Sequence, residues 1–167
     1  SLLFAEATQG LHFKQQTVQT PLCATAVPKL ADEIVVVPVL RAGIAMLFGA
    51  LKLLPKIKVG FVGLERDEVT AQAHEYYWKL PRIGKNTVII VTDPMLATGG
   101  SILHLLRRVA QEKPKEIRVV CVLAAPEGIA AIKQEFPEVK IFTGHIDEKL
   151  NVRKYIVPGL GDYGDRY

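Results

Sequence analysis

Asp93, together with the hydroxyl and glycine residues just after it, is the part of this 167-residue chain best equipped for chemistry. It sits in the run Val91-Thr92-Asp93-Pro94-Met95-Leu96-Ala97-Thr98-Gly99-Gly100-Ser101. Glycines let backbone N–H groups approach a ligand closely, hydroxyls add donors, and a helix starting here supplies partial positive charge. An acid at the rim can accept hydrogen bonds from sugar hydroxyls. The run suits a sugar phosphate. Its plainer reading is a tight strand-to-helix connection with Thr or Ser as the cap. The chain has no G-x-x-x-x-G-K-[ST] loop, and no G-x-G-x-x-G opens a helix, so the common nucleotide loops are excluded.

Three further groups bear on the same chemistry. Leu40-Arg41-Ala42-Gly43 leads from an apolar run into a helix, where Arg41 could clamp a pyrophosphate bidentately. Arg66, flanked by Glu65 and Asp67, closes another apolar run. Taken singly, each arginine reads by default as a solvated or surface-paired rim charge. The run 155–166 carries Gly159, Gly161 and Gly164. Such a backbone can fold into a tight cover whose amides read a planar heterocycle, because unpaired buried amides penalise the wrong base. His12, His74, His104 and His145 lie outside these runs and read as surface or structural groups.

These residues need a scaffold, and the apolar pattern describes one. Ile34–Val39, Val59–Leu64, Val88–Val91, Arg118–Ala124 and Val139–Phe142 read as strands. Ala42–Leu54 carries Ile44, Leu47, Phe48 and Leu51 at helical spacing before Pro55 stops it. Ser101–Gln111, with Ile102, Leu105, Leu106 and Val109, is a second helix, and Pro126–Phe136 a third that opens on proline. Ser1–Gln9 reads as the tail of a helix and His12–Gln19 as a polar edge strand. Glu65–Ala73 reads as a charged loop and His74–Leu80 as an extended arm. The alternation predicts an α/β fold: a parallel sheet with helices on both faces. Ligands then bind beyond the strands' carboxyl ends, where Arg41, Arg66 and Asp93 fall.

Composition sets the outer limits. A hydrophobic content of 49% over 167 residues supports one compact domain, and 23% charged residues is ordinary for a globular protein. The net charge of +4 is not gathered into a long basic run, so it suits an anionic small molecule at least as well as nucleic acid. Cys23 and Cys121 lack metal-like spacing, which points to a reduced, cytoplasmic protein. Neither an apolar stretch of spanning length nor a secretory signal is evident, so no membrane association is expected. The chain begins Ser1-Leu2-Leu3-Phe4 without methionine, so residues are expected upstream.

The segment Asp93-Pro94-Met95-Leu96-Ala97-Thr98-Gly99-Gly100-Ser101 resembles the phosphoribosyl diphosphate motif of uracil phosphoribosyltransferases. Val39-Leu40-Arg41-Ala42-Gly43, Ala124-Ala125-Pro126-Glu127-Gly128 and Pro158-Gly159-Leu160-Gly161-Asp162 resemble the same family, in the same order. Many phosphoribosyltransferases carry two adjacent acids before the loop, and the single acid of Thr92-Asp93-Pro94 is the uracil enzyme's variant. The resemblance runs from about Val35 onward, His12–Lys29 matching only loosely. It implies a single type I phosphoribosyltransferase domain over residues 1–167, with a small hood over the base. The family's amino-terminal arm and a short tail after Tyr167 are then expected to be missing.

The resemblance further implies a pyrimidine-salvage reaction: uracil plus 5-phosphoribosyl 1-diphosphate gives uridine monophosphate and diphosphate. It assigns diphosphate contacts to Arg41 and Arg66, and the ribose 5-phosphate to residues Asp93 through Ser101. Uracil reading falls on Ile156 and on Gly161-Asp162-Tyr163, with Asp162 also near the sugar diphosphate. Asp93, Arg41 and Asp162 are then the catalytic residues. Tyr163 stands where many bacterial members have alanine and eukaryotic-type members an aromatic residue. Magnesium is expected as the cofactor, carried by the diphosphate rather than by a protein cage. A homodimer or larger homo-oligomer, a GTP effector and no nucleic-acid partner complete the expectation. Two other readings use the same scaffold: an RNA-binding regulator of pyrimidine genes, and the carboxyl-terminal domain of a uridine kinase fusion.

Overall fold

The computed structural model describes residues 1–66 and 73–164, apart from the side chains of Arg66 and Ala73. The chain opens with helix α1 (Leu2–Ala7) and a hairpin of β1 (Phe13–Gln19) and β2 (Ala24–Leu30). There follow β3 (Glu33–Leu40), α2 (Ile44–Leu53), β4 (Lys58–Val59), β5 (Phe61–Arg66), β6 (Ala73–Lys79), β7 (Thr87–Thr92) and β8 (Met95–Leu96). The remainder is α3 (Gly100–Val109), β9 (Glu116–Ala124), α4 (Pro126–Glu135), β10 (Lys140–Ile146) and a small hairpin of β11 (Lys149–Leu150) and β12 (Ile156–Val157).

The central sheet runs β10-β9-β7-β3-β5-β6, with β4 beside β3 and β8 beside β9. Its pairings are parallel except for the antiparallel β5–β6 edge. Both faces are covered, which is why β7 is buried at every position and β3 at six of eight. Side chains alternate between faces. Val35, Val37, Ile89, Val91 and Val119 pack with Ile102, Leu105, Leu106 and Ile132 of α3 and α4. Ile34, Val36, Val88, Ile90 and Val120 pack with Phe4, Ala7, Leu47 and Ala50 of α1 and α2. Arg118 of β9 is 1% exposed; its Nη1 donates to the Ala7 and Gln9 carbonyls at 2.6 and 2.8 Å, holding the end of α1. Its Nε and Nη2 donate to the Glu116 carboxylate at 3.0 and 2.8 Å. Among the described residues, no helix is long and apolar enough to cross a membrane.

Four expectations need correction. His12–Gln19 is an edge strand, but outside the main sheet: β1 pairs β2 in a separate hairpin, in register from Phe13↔Leu30 to Gln19↔Ala24. That hairpin exposes nearly all its side chains, so β2 shows no alternation of burial that a sequence pattern would mirror. Val59–Leu64 is broken at Gly60 into β4 and β5, where a Cβ would stand 2.4 Å from the Leu80 side chain. His74–Leu80 is no free arm, because β6 is antiparallel on β5. Of the expected loop Glu65–Ala73, Glu65 and Arg66 end β5 and Ala73 opens β6. Residues 67–72, and the expected role of the Arg66 side chain, lie outside the described residues.

Candidate active site

Strand β3 lies between β5 and β7, so their carboxyl ends sit side by side at one edge of the sheet. At the end of β3 the Leu40–Arg41 peptide is cis, and the Gly43 N–H donates to the Val39 carbonyl at 2.8 Å. This tight turn leaves Arg41 exposed just before α2. Thr92, the last residue of β7, donates its Oγ1 hydroxyl to the Gly43 carbonyl at 3.4 Å. The Arg41 turn is thereby fastened to the strand that delivers Asp93.

Residues 93 and 95–102 line a concavity of about 110 Å³, open to solvent. Pro94 is buried and does not line it, a departure from the expected run of contacts. Its carbonyl instead accepts the Val122 and Leu123 N–H groups, both at 3.0 Å. Met95 and Leu96 form β8 against Leu123 and Ala124, and the Leu96 carbonyl accepts the Ala125 N–H at 2.8 Å. The loop is therefore stitched to β9 along its first half and free along its second. Gly99, at φ +82°, is the residue that caps α3, with no side-chain hydrogen bond. Neither Thr98 nor Ser101 fills that place; Thr98 Oγ1 accepts the Gly100 N–H at 3.4 Å. Residues 100–102, the first turn of α3, line the concavity, and their N–H groups have no intrahelical acceptors, the arrangement an anion needs. Gly128, at the start of α4, allows the loop to close: a Cβ there would lie 2.4 Å from the Ala97 carbonyl oxygen.

Asp93 is half-buried, and burial pushes its carboxyl up to about 6, against the opposing pull of the Met95 N–H at 3.3 Å. Among the described residues, no group of three or more His, Cys, Asp or Glu side chains could hold a metal ion. His12, His104 and His145 stand beside Asp32, Glu75 and Asp147, at 3.3, 3.3 and 3.5 Å, rather than in the concavity's lining.

The carboxyl-terminal cover grows from the same strand end. The Asp147 N–H donates to the Ala124 carbonyl at 2.9 Å, and the Leu150 N–H donates to Glu127 Oε1 at 2.9 Å. One peptide group, Ala124–Ala125, therefore bonds the cover through its oxygen and the loop through its N–H. Within the cover, Leu150 pairs with Ile156 and Lys149 with Val157. Ile156 is buried, Gly161 and Asp162 are exposed, and Tyr163 is half-buried. Gly159 and Gly161 take positive φ of 58° and 73°, and Asp162 Oδ1 accepts the Gly164 N–H at 2.7 Å.

Sequence reasoning missed Thr92, Glu127 and Asp147. Thr92 and Glu127 were within reach, one closing an apolar strand and the other in the first turn of a proline-led helix. Asp147 carries no local signal, since its partner lies twelve residues on.

The uracil phosphoribosyltransferase family model matches residues 1–167. A uracil phosphoribosyltransferase of Clostridium acetobutylicum is 47% identical over 166 residues, covering 99% of this chain and 79% of the relative. One from Campylobacter curvus is 42% identical over 165 residues, with the same coverage. The structure of the AQ2163 protein from Aquifex aeolicus superposes with a TM-score of 0.95 at 43% identity, over 99% of this chain and 79% of that one. A hypoxanthine-guanine phosphoribosyltransferase of Bacillus anthracis, 17% identical with a TM-score of 0.55 over 72% of this chain and 69% of that one, shares the fold alone. The architecture is the type I phosphoribosyltransferase fold, and the chain belongs to the uracil phosphoribosyltransferase family.

Proposed function

We propose that this chain is a pentosyltransferase of pyrimidine salvage, acting as one domain to move the phosphoribosyl group of 5-phosphoribosyl 1-diphosphate onto uracil. The observation that carries the reading is the single β9 terminus that anchors both the phosphate-type loop and the glycine-rich cover. A sugar phosphate held by one and a base held by the other are delivered to a common edge.

The difficult step is loss of diphosphate as positive charge grows at the ribose C1′. Arg41 at the β3 turn, with Arg66 as the last residue of β5, meets the charge on the leaving group. Residues 95–101 hold the 5′-phosphate through backbone N–H groups and the Thr98 and Ser101 hydroxyls. Asp93 accepts hydrogen bonds from the ribose hydroxyls and so orients C1′ toward the base nitrogen; orientation of this kind is worth up to about 7 kcal/mol or more in favourable cases. Uracil is read by backbone groups of Ile156 and of Gly161 to Tyr163. Asp162 faces the sugar diphosphate from the cover side.

Magnesium fits this donor set as a passenger on the diphosphate. The ion prefers one or two carboxylates plus substrate phosphates to an all-protein cage, and Asp93 and Asp162 are the carboxylates that would hold it. When bound it neutralises charge on the leaving group. Assembly into a homo-oligomer, control by GTP and action in the cytoplasm belong to the same proposal.

Incubation with labelled uracil, phosphoribosyl diphosphate and magnesium tests the reading, with adenine, guanine and orotate run in parallel. Uridine monophosphate formed from uracil alone is the expected result. No product, or transfer to another base in preference, overturns it.

A further inference from the structure

We infer that Asp147 is a positioning residue for base recognition, setting the cover's reading backbone without touching the base. The inference rests on the reading above, in which the cover holds uracil. Asp147 follows β10 and is 7% exposed, so its carboxylate is an expensive group to bury without partners. Its Oδ2 accepts the Gly159 N–H at 3.1 Å. The next residue, Glu148, donates its N–H to the Val157 carbonyl at 3.2 Å. Two consecutive residues thus grip the chain on either side of Pro158, which has no N–H of its own to offer.

That grip falls between the residues proposed to read the base. Ile156 lies just before it, and Gly161, Asp162 and Tyr163 just after. The path between them admits little variation. Gly159 holds φ +58°, and a Cβ there would stand 2.1 Å from the Ile156 carbonyl oxygen. With the Gly159 amide held by Asp147, the direction in which residues 160–163 leave the turn is set. Asp147 is itself tied through its N–H to Ala124. The reading backbone is therefore referenced to the central sheet rather than to the small hairpin that carries it. His145 Nε2 stands 3.5 Å from the other oxygen, Asp147 Oδ1.

Asp147→Ala removes the acceptor and Asp147→Asn retains one, so the pair separates positioning from bulk. In steady-state assays Asp147→Ala is expected to raise the KM for uracil about tenfold or more, the size of a lost buried partner. The KM for phosphoribosyl diphosphate is expected to stay within about twofold, because the loop keeps its own bonds to β9. Asp147→Asn should recover most of the uracil KM. Amide hydrogen exchange gives a second readout: Gly159 should lose protection in Asp147→Ala while Ala125 keeps it.

If Asp147→Ala does not fold, Gly159→Ala displaces the same amide from the other side and should show the same uracil-selective loss. Equal rises in both KM values, or an unchanged uracil KM, would overturn the inference while the wild-type activity stood. A wild-type protein that makes no uridine monophosphate would instead remove the functional reading, and this inference with it.

Discussion

Thr92 closes tightly on Gly43: the Thr92 hydroxyl donates to the Gly43 carbonyl at 3.4 Å, and a Cβ on Gly43 would stand 2.5 Å from the Thr92 carbonyl oxygen. Arg41 lies two residues before one partner and Asp93 one residue after the other. The relative placement of the guanidinium and the carboxylate is thus decided by a contact with no room for a methyl group.

Gly43→Ala should therefore separate the Arg41 turn from β7. Overpacking of this kind costs about 1–3 kcal/mol, and here the neighbouring atoms are backbone, which cannot swing aside. The expected result is a lower melting temperature together with a KM for phosphoribosyl diphosphate raised about tenfold. An intact KM in a destabilised variant would mean that the contact serves stability only.

Asp93 presents the opposite balance. Its carboxyl is raised from an ordinary 3.8 to about 6 by burial, so near neutral pH the folded chain carries a charge in surroundings that disfavour it. Asp93→Asn should stabilise the fold by about 1 kcal/mol, the full shift being discounted for the side chain's partial contact with water. The same change should lower turnover strongly, because an amide is a weaker acceptor for ribose hydroxyls. Thermal melts and initial rates on one preparation check both halves. In the wild type, kcat/KM for phosphoribosyl diphosphate should decline as pH falls through about 6.

Stability against pH follows from signs that differ among the carboxylates. Asp32 is held below its ordinary range although burial opposes this, through the His12 N–H and the Lys115 ammonium. Glu116 is held down against burial by Arg118 and Lys140, and Glu75 chiefly by Arg108 with His104 assisting. Groups depressed on folding contribute stability above their unfolded values, 3.8 and 4.5, that is lost as pH falls through the folded ones. Asp93 contributes in the reverse sense: its stability is complete below 3.8 and lost as pH rises through about 6. Denaturant midpoints measured from about pH 3 to 8 should peak between about 4.5 and 6. In Asp93→Asn the decline on the alkaline side of that peak should flatten.

Arg118 is the heaviest single polar investment in the core. Arg118→Met leaves the Ala7 and Gln9 carbonyls without this donor and the Glu116 carboxylate with Lys140 alone. Removing one partner of a buried pair costs about 3–5 kcal/mol. The urea midpoint should fall accordingly with little change in slope, and amides at the end of α1 should exchange faster. A midpoint within experimental error of the wild type would show that α1 does not depend on this anchor.

The parallel sheet was legible because strands covered on both faces are apolar throughout: Val88 to Val91 and Ile34 to Val39 admit no other reading once helices alternate with them. The loop from Asp93 to Ser101 was legible because glycine, hydroxyl and acid meet at a strand-to-helix junction. What escaped was set by partners distant in sequence or by exposure. The β2 strand faces water on nearly every residue, so it lacks the alternation that betrays a half-buried strand. Gly99 took the capping place because the turn needs φ +82°, a requirement that a preference for Thr or Ser cannot express. Asp147 escaped for a different reason: a carboxylate after a strand is commonplace until the chain returns to it.

The Ala124–Ala125 amide is flat, and its oxygen and hydrogen point in opposite directions across the sheet. Neighbouring strands stand about 4.8 Å to either side of it, so the spacing between the loop and the first residue of the cover is a lattice constant rather than the outcome of a hinge. Opening the cover at that rung would break a ladder bond on which the loop's own register leans. The distance between the loop and the cover is set by a ruler cut from the sheet itself.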